Sequence, residues 1–349
     1  MEKLEQLHKL LRSKSCLPFL ITNLSNIYYL SKFTGSTAYI LVDDNGFKFI
    51  TDGRYKTQIE TEIPENFEKV IVESYINFFE KLSTECPKLY LDNKAPLELY
   101  AKMKKNSDVV VDLDDIIVQL RQIKSDEEIL TIKNAYKIAA DSFVETLGEI
   151  TFGKTENIWA AKLEYNMKKN GGRRPSFDTI VASGYRAALP HGVASDKIVK
   201  ESEPVIVDYG TFINYCSDIT RMIYNGKDTQ VIEIIEIVNS AKMKTIESIK
   251  PGKMANEIDK VARQYIEEKG YGEFFNHGLG HGVGIDVHEK PSLNPFDETV
   301  LKPGMVLTIE PGIYFKDNFG VRIEDTVVVT ENGCEIISSM LDRHFYKIN

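Results

Sequence analysis

The sequence predicts an α+β protein with two domains, residues 1–122 and residues 123–349. Three observations lead to this prediction. The chain of 349 residues is long enough for two hydrophobic cores. Its first third alternates short β-rich runs with helical ones, whereas its last third contains paired β-rich runs joined by short turns. Between these regions, a capped amphipathic pattern predicts a long helix that opens the second domain.

The N-terminal domain begins with MEKLEQLHKLLRS, which mixes both charges and predicts an amphipathic surface helix instead of a secretory leader. Four β-rich runs follow, at residues 19–22, 38–42, 47–50 and 88–91. The second and third runs are separated by the sequence DDNG, and Asn-Gly is a strong hairpin signal. These patterns predict an α/β domain with a mixed sheet.

The second domain opens at Ser125 and Glu128, whose spacing predicts a capping box. Apolar residues then recur at helical spacing, so we expect a helix of about 25 residues that ends at Gly153. A further helix is expected around Trp159.

A weak internal similarity follows the same region. Residues 129–134 resemble residues 234–239, and the Gly-Lys pair at 153–154 resembles the pair at 252–253. This repetition indicates that the C-terminal domain consists of two related halves.

Four carboxylates lie in β-rich runs of the C-terminal domain: Asp208 in VIVDYG, Asp218 in YCSDITR, Glu310 in TIEPGIY and Glu324 in VRIEDTV. The first two runs predict one hairpin with a turn at residues 211–214, and the last two predict another. Acids are depleted in strands, and an unpaired charge facing a core is costly. The pattern indicates a shared polar site, although solvated acids on edge strands would also explain each acid taken alone.

Three histidines fall in HGLGHGVGIDVHE: His277, His281 and His288. The glycines between them are too dense for a stable helix, so we expect a loop or distorted strand that brings backbone close to a ligand. His191 in ALPHG is a fourth candidate, held between a proline and a glycine. For any one of these histidines, the alternative is a structural residue.

The four carboxylates and His281 are enough to hold two divalent cations, if two of the carboxylates bridge. This donor set predicts metal-assisted hydrolysis and favours Mn²⁺ or Co²⁺, with Fe²⁺ and Zn²⁺ as alternatives. Arg322, two residues before Glu324, is expected to donate to a metal-bound carboxylate; the alternative is a surface ion pair.

Composition excludes several classes of protein. A formal net charge of −9 argues against nucleic acid as a partner, and no apolar run reaches the roughly 20 residues of a membrane span. The four cysteines form no CxxC pair and are expected to be reduced, mostly buried thiols, with Cys216 as a packing residue. We therefore expect a cytoplasmic protein.

The motifs DYG, CSDITR, PHG, HGLGHGVGIDVHE, IEPGIY and VRIED, in that order, resemble those of the pita-bread metallopeptidases. The matching branch contains Xaa-Pro aminopeptidase (aminopeptidase P) and Xaa-Pro dipeptidase (prolidase). NIYYLSKFTGS, TDGRY and LRQIKSDEEI resemble the creatinase-type N-terminal domain and linker. The resemblance implies a C-terminal pita-bread fold, a pseudo-twofold antiparallel sheet with flanking helices, after a smaller creatinase-like α/β domain.

The resemblance also implies roles for the metal ligands. Asp208 would chelate one metal, and Asp218 would bridge both. His281 and Glu310 would hold the other metal, and Glu324 would be the second bridge. The first two ligands are ten residues apart, one fewer than the family pattern, so we expect a shortened hairpin that keeps both ligands. A slip of one residue would instead turn one aspartate away.

Other residues would act on the substrate. His191, His277 and His288 would line the pocket and handle protons or the developing oxyanion, with His288 or His191 stabilising the latter. Glu310 would relay a proton toward the leaving proline nitrogen.

The function implied is hydrolysis of the N-terminal Xaa-Pro bond, with Xaa-Pro aminopeptidase ranked first and Xaa-Pro dipeptidase as the alternative. Creatinase dispenses with metals, and pita-bread binding modules have replaced ligands, so the retention of all five ligands argues against both. Methionine aminopeptidases lack the N-terminal domain. The expected partners are a proline-containing peptide and a second copy in a homodimer.

Overall fold

The computed structural model describes residues 2–341 and 344–348 and divides into two compact units, one up to Arg121 and one from Gln122 onward. Within the described part of the first unit there are six strands: β1 (Phe19–Ile21), β2 (Tyr39–Asp43), β3 (Gly46–Asp52), β4 (Phe67–Val72), β5 (Lys88–Asp92) and β6 (Asp108–Asp112). Its helices are α1 (Glu2–Ser13), α2 (Leu24–Ser31), α3 (Lys56–Glu62), α4 (Tyr75–Glu85), α5 (Leu97–Met103) and α6 (Ile116–Gln122), the last of which crosses the boundary between the units.

The strands of the first unit form one mixed sheet in the order β4-β3-β2-β1-β5-β6. Strand β2 is antiparallel to both its neighbours, and the other pairs are parallel. The predicted mixed sheet and the β2–β3 hairpin are therefore confirmed. Helix α1 buries Leu4, Leu7 and Leu11, as its amphipathic pattern predicts. Strands β4 and β6 were not predicted, because both are edge strands of the sheet with few buried positions.

The described residues of the second unit include four long helices: α7 (Asp126–Leu147), α8 (Glu156–Lys169), α9 (Thr229–Ser248) and α10 (Ala255–Glu268). The strands of its first half are β7 (Arg174–Pro175), β8 (Ile180–Ser183), β9 (Val205–Tyr209), β10 (Thr211–Phe212) and β11 (Ile219–Ile223). Those of its second half are β12 (Gly280–Gly282), β13 (Glu289–Leu293), β14 (Val306–Ile309), β15 (Gly312–Phe315), β16 (Phe319–Arg322), β17 (Asp325–Val329) and β18 (Cys334–Ile336), followed by β19 (Phe345–Tyr346).

Two main sheets result, in the orders β19-β11-β9-β8 and β13-β12-β14-β17-β18. All pairs within them are antiparallel except β11 with β19. The main core of the unit packs α9 and α10 against these strands, with side chains such as Ile234, Ala262 and Leu307 fully buried. None of the helices in the described residues is both long and apolar enough to cross a bilayer.

The two halves repeat one arrangement, which accounts for the internal similarity of the sequence. Helices α7 and α8 pack together in the first half, and α9 and α10 do so in the second. The turn between each helix pair contains a glycine at positive φ, +82° at Gly153 and +88° at Gly252. The Gly153 amide donates to Val199, and the Gly252 amide donates to Leu301 in the same way.

Helix α7 ends at Leu147, six residues before the predicted end at Gly153. The capping box at Ser125 and Glu128 is present as predicted, but Gly148 is the C-terminal cap. The apolar spacing continues to Ile150 because that side chain is buried in the following loop, so periodicity alone overestimated the length of the helix.

The two predicted hairpins position the candidate ligands, but the strands break close to them. Asp208 lies inside β9, opposite Thr220, whereas Asp218 lies just before β11. Glu310 directly follows β14, and Glu324 directly precedes β17. The expectation that all four acids lie inside strands was therefore wrong for three of them. After Glu310 the pairing moves to a separate β15–β16 hairpin, and Pro311 has no N–H with which to continue the ladder.

Candidate metal centre

Three carboxylates meet where the two hairpins approach each other. Ligand oxygens of Asp208, Asp218 and Glu324 lie within 4.8 Å of one another, and all three residues are buried. Thr220 joins the two hairpins, because its hydroxyl donates to Glu324 Oε2 at 3.1 Å and its carbonyl accepts from the Glu324 amide at 3.2 Å. The residues predicted from distant motifs are thus brought together at one point.

His281 and Glu310 complete the cluster. His281 Nε2 lies 3.5 Å from Asp218 Oδ2 and 3.3 Å from Glu310 Oε1. The other ring nitrogen, Nδ1, is 3.0 Å from the Gly282 carbonyl, so an N–H there leaves Nε2 facing the carboxylates. A hydrogen bond of this kind is how a metal-binding histidine is usually oriented. All five predicted ligands therefore surround one small volume.

The electrostatics of the cluster fit a bound cation. Burial, together with neighbouring carboxylates, raises the pKa of Asp218 and of Glu324 well above its ordinary value. Burial also acts to raise the pKa of Glu310, but its contact with His281 outweighs this effect and holds the pKa at about 2. Among the described residues, Asp208 Oδ1 and Glu324 Oε1 are buried without a hydrogen-bond partner. Because buried polar atoms are normally partnered, these oxygens are suited to divalent cations.

Arg322 is a buried side chain that contacts this cluster. Its Nη2 donates to Asp208 Oδ2 at 2.7 Å, and its Nη1 donates to the Pro190 carbonyl at 2.9 Å and to the Tyr314 hydroxyl at 3.0 Å. The side chain is almost fully buried, which excludes the surface ion pair considered as the alternative. Tyr314 lies 3.0 Å from His277 Nε2, and since its oxygen accepts from Arg322, its O–H donates to the histidine.

His277 is held at both ring nitrogens. Its Nε2 accepts from Tyr314, and its Nδ1 lies 2.7 Å from the Gly278 carbonyl. Burial lowers its pKa below the ordinary value, so the ring is neutral at pH 7. This geometry favours a positioning role for His277 over proton transfer. The sequence analysis did not identify Tyr314 as a site residue. It could have been identified as a tyrosine in a run that favours a buried strand, because a buried hydroxyl needs a hydrogen-bond partner.

A cavity of about 480 Å³ opens onto the cluster. His191, His277 and His288 line it, together with four of the candidate ligands, whereas Glu324 does not border it. The His288 ring packs edge-on against His281 with 4.3 Å between centroids. Partial burial and the charge on His281 lower the pKa of His288, which keeps this imidazole neutral at pH 7. Of the histidines that line the cavity, His191 and His288 are exposed and lie beside the carboxylates.

The glycine-rich segment forms the distorted strand that the sequence predicted. Strand β12 carries His281, and its register with β13 shifts between His281 and Gly282. Its glycines pack closely against neighbouring strands. A Cβ on Gly280 would lie 2.1 Å from the Thr308 carbonyl oxygen, and one on Gly282 would lie 2.5 Å from that of Lys290. These residues allow close contact with neighbouring strands, and Gly280 also lines the cavity, so the expected close approach of backbone to a ligand stays a prediction.

The shortened turn between Asp208 and Asp218 does not turn either side chain away. After β10, the chain reverses at Asn214, which adopts φ of +112°. Cys216 then packs inside, and burial raises its pKa to about 12, in keeping with its predicted packing role. The four cysteines are free thiols, but only Cys216 is fully buried. The other three are half-buried, so the expectation of mostly buried thiols was wrong for them.

The crowded carboxylates predict an unusual pH dependence in the metal-free protein. Because burial and the neighbouring Glu324 raise the pKa of Asp218, the folded chain binds a proton that the unfolded chain releases. The free energy of unfolding should therefore rise as the pH is lowered from about 8 toward about 5, because the buried Asp218 carboxylate becomes protonated and loses its charge. Asp218→Asn lacks this contribution, so the wild type should gain more stability than the variant over that interval.

Thermal denaturation in the presence of a chelator measures this difference. Comparison with the variant removes the effect of other titrating groups, including His277 and His288, whose lowered pKa values act in the opposite direction. An identical pH dependence in the two proteins would contradict the charge crowding that the geometry indicates.

Comparison with known proteins agrees with this architecture. Residues 3–123 match the Creatinase/Prolidase N-terminal domain, and residues 131–331 match Metallopeptidase family M24. A Xaa-Pro dipeptidase of Pyrococcus horikoshii is 42% identical over 339 residues, which cover 95% of each chain. These matches confirm the creatinase-like domain and the pita-bread fold implied by the motifs.

Solved structures give the same result. The Xaa-Pro dipeptidase from Bacillus anthracis superimposes with a TM-score of 0.93 at 36% identity, covering 100% of this chain and 99% of that one. The X-Pro aminopeptidase from Thermotoga maritima MSB8 gives a TM-score of 0.86 at 39% identity, covering 95% and 97%. The chain is a member of metallopeptidase family M24, hydrolases that act on peptide bonds and use divalent metal ions.

Proposed function

We propose that this protein is a dinuclear metallopeptidase that hydrolyses Xaa-Pro dipeptides. The observation that carries the proposal is the convergence of four carboxylates and one imidazole at the base of a 480 Å³ cavity. The relatives named Xaa-Pro dipeptidase support the choice of substrate. They favour the dipeptidase alternative over the aminopeptidase that was ranked first from the sequence motifs.

The five side chains would hold two divalent cations. Asp208 would bind one of them, His281 and Glu310 the other, with Asp218 and Glu324 shared between the two. When bound, such cations lower the pKa of water toward neutrality and polarise a carbonyl group. The oxygen-rich donor set favours Mn²⁺ or Co²⁺.

The other residues have separate roles in the proposed reaction. Glu310, which borders the cavity, would accept the proton of the attacking water and pass it to the leaving proline nitrogen, the role that the sequence motifs imply for it. Neutral His288 and His191, which both line the cavity, would donate N–H groups to the oxyanion that forms on the scissile carbonyl. Arg322 fixes the orientation of Asp208. The homodimer and the cytoplasmic location stay predictions.

A substrate-length series tests the proposed preference. We expect kcat/KM for Ala-Pro to exceed that for Ala-Pro-Ala by at least about tenfold, because a dipeptidase recognises the free carboxylate directly after proline. Each substrate is assayed with metal-free protein and after addition of Mn²⁺, Co²⁺, Fe²⁺ or Zn²⁺. Ala-Ala, which lacks proline, is the control for specificity.

The aminopeptidase is the second candidate, because the similarity to the T. maritima enzyme extends over nearly the whole chain. Preferential cleavage of Ala-Pro-Ala would establish it and exclude the dipeptidase. Cleavage at full rate without any metal would contradict both candidates.

A further inference from the structure

A buried carboxylate in the first half of the second unit holds the loop that carries His191. Glu156, the first residue of α8, is 0% exposed. Its Oε1 accepts from the amide and the hydroxyl of Ser183, each at 2.8 Å. Its Oε2 accepts from the Ser195 hydroxyl at 2.7 Å, the Ser195 amide at 3.2 Å and Arg186 Nε at 2.8 Å. One side chain therefore ties together both ends of the loop.

The middle of this loop is fixed from both sides. Arg186, paired with Glu156, also donates to the Val193 carbonyl. On the side of the metal centre, Arg322 donates to the carbonyl of Pro190, the residue before His191. His191 lies between these two attachments and lines the cavity. Its own side chain is exposed, so the backbone of the loop determines where the imidazole lies.

The second half contains an equivalent pair. Asp259 of α10 is 1% exposed and binds Arg263 through two hydrogen bonds of 2.9 and 2.8 Å. Arg263 donates to the carbonyls of Phe275 and His277, and its guanidinium packs over the Phe275 ring at 4.4 Å. Asp259 also accepts from the Leu279 amide at 3.2 Å. This pair therefore fixes the backbone of residues 275–279, on both sides of His277.

From this repeated arrangement we infer that each half of the second unit carries an ion pair that positions one non-ligand histidine of the pocket. The pairs are Glu156–Arg186 for His191 and Asp259–Arg263 for His277. Among the described residues that line the cavity, none belongs to either pair, so the four side chains act only through the segments they hold. The inference rests on the proposed function and adds positioning residues to it.

Hydrogen exchange of the metal-free protein provides a test that does not depend on activity. Glu156→Gln keeps the shape of the side chain but replaces one acceptor oxygen with a donor. It should accelerate amide exchange in residues 183–195 and leave residues 275–279 unchanged. Asp259→Asn should have the reverse effect. Glu201→Gln and Glu268→Gln, exposed acids on the same unit, are the matched controls.

A double-mutant cycle tests the positioning of His191. Glu156→Gln should lower kcat for Ala-Pro by roughly 10- to 100-fold, with a smaller change in KM and unchanged metal content. In the His191→Ala background, the same change should lower kcat no further, because the group it positions is gone. An equal loss in both backgrounds would show general destabilisation and would overturn the inference, as would unchanged local exchange.

Arg186→Lys is a second route to the same result if Glu156→Gln does not fold. The arginine side chain is 19% exposed, so water can reach the end of the lysine that replaces it. The lysine keeps the positive charge beside Glu156 but lacks the planar set of donors. Failure of the wild type to cleave Ala-Pro would refute the proposed function alone. The exchange measurements would still support or overturn the local role of each pair.

Discussion

Replacing Asp218 with asparagine should lower kcat for Ala-Pro by on the order of 1000-fold, about 4 kcal/mol of barrier. Its carboxylate lies between His281 and the oxygens of Asp208 and Glu324, where it would be shared by both cations. An amide cannot supply the negative charge that such a shared ligand contributes. Activity should therefore fall together with metal content, measured by plasma mass spectrometry.

The same variant should have the opposite effect on the metal-free protein. Without cations, the buried carboxylates repel one another, as the raised pKa of Asp218 indicates. Asp218→Asn removes one of these charges and should raise the thermal midpoint of the metal-free chain. Asp141→Asn, a change at an exposed aspartate that pairs with Lys137 on the same helix, is the control. Full activity and metal content in Asp218→Asn would contradict the proposed ligand set.

Arg322→Ala should destabilise the metal-free protein by about 3–5 kcal/mol, because it leaves Asp208 buried and unpaired. It also removes donors to Tyr314 and to the Pro190 carbonyl. Loss of these contacts should lower kcat for Ala-Pro by about 100-fold. A bound cation would partly compensate for the lost charge, so the destabilisation should be smaller when metal is present.

Urea denaturation with and without Mn²⁺ measures both effects. Arg322→Lys keeps the charge but not the fork of donors, and should lie between the wild type and Arg322→Ala. Arg173→Ala, a change at an exposed arginine, is the control. If Arg322→Ala were as stable as the wild type in the absence of metal, Arg322 would not be needed to stabilise the buried Asp208 carboxylate, which would contradict this prediction.

The candidate ligands could be predicted from the sequence because each places an acid in a run that otherwise favours a buried strand. Asp208 is the clearest example, since it lies inside β9 with apolar neighbours on both sides. A charge in such a place needs a partner, and Arg322 provides one. The repeated helix pairs were also visible, because Gly153 and Gly252 both require positive φ.

The strand breaks at Glu310 and Glu324 could not be predicted in the same way. Both lie in continuous β-rich patterns, and only the pairing with other strands shows where each ladder ends. Tertiary pairing also decides which edge strands form, as β4 and β6 illustrate. Sequence pattern cannot supply this information, because a strand propensity depends on its neighbours.

Glu156 and Asp259 were not recognised for a related reason. Acids in the first turns of a helix are common and usually solvated, so neither residue stands out from the sequence. Their burial results from loops that fold back from later in the chain, at residues 183–195 and 275–279. The sequence motifs also could not decide between dipeptidase and aminopeptidase, because the two classes of enzyme share the ligand motifs.

Anomalous diffraction from crystals of the protein grown with Mn²⁺ would locate the metal ions in the proposed dinuclear centre. We expect two anomalous peaks per chain, both enclosed by Asp208, Asp218, His281, Glu310 and Glu324, with Asp218 and Glu324 contacting both ions. A single peak, or peaks coordinated by other side chains, would contradict the dinuclear centre.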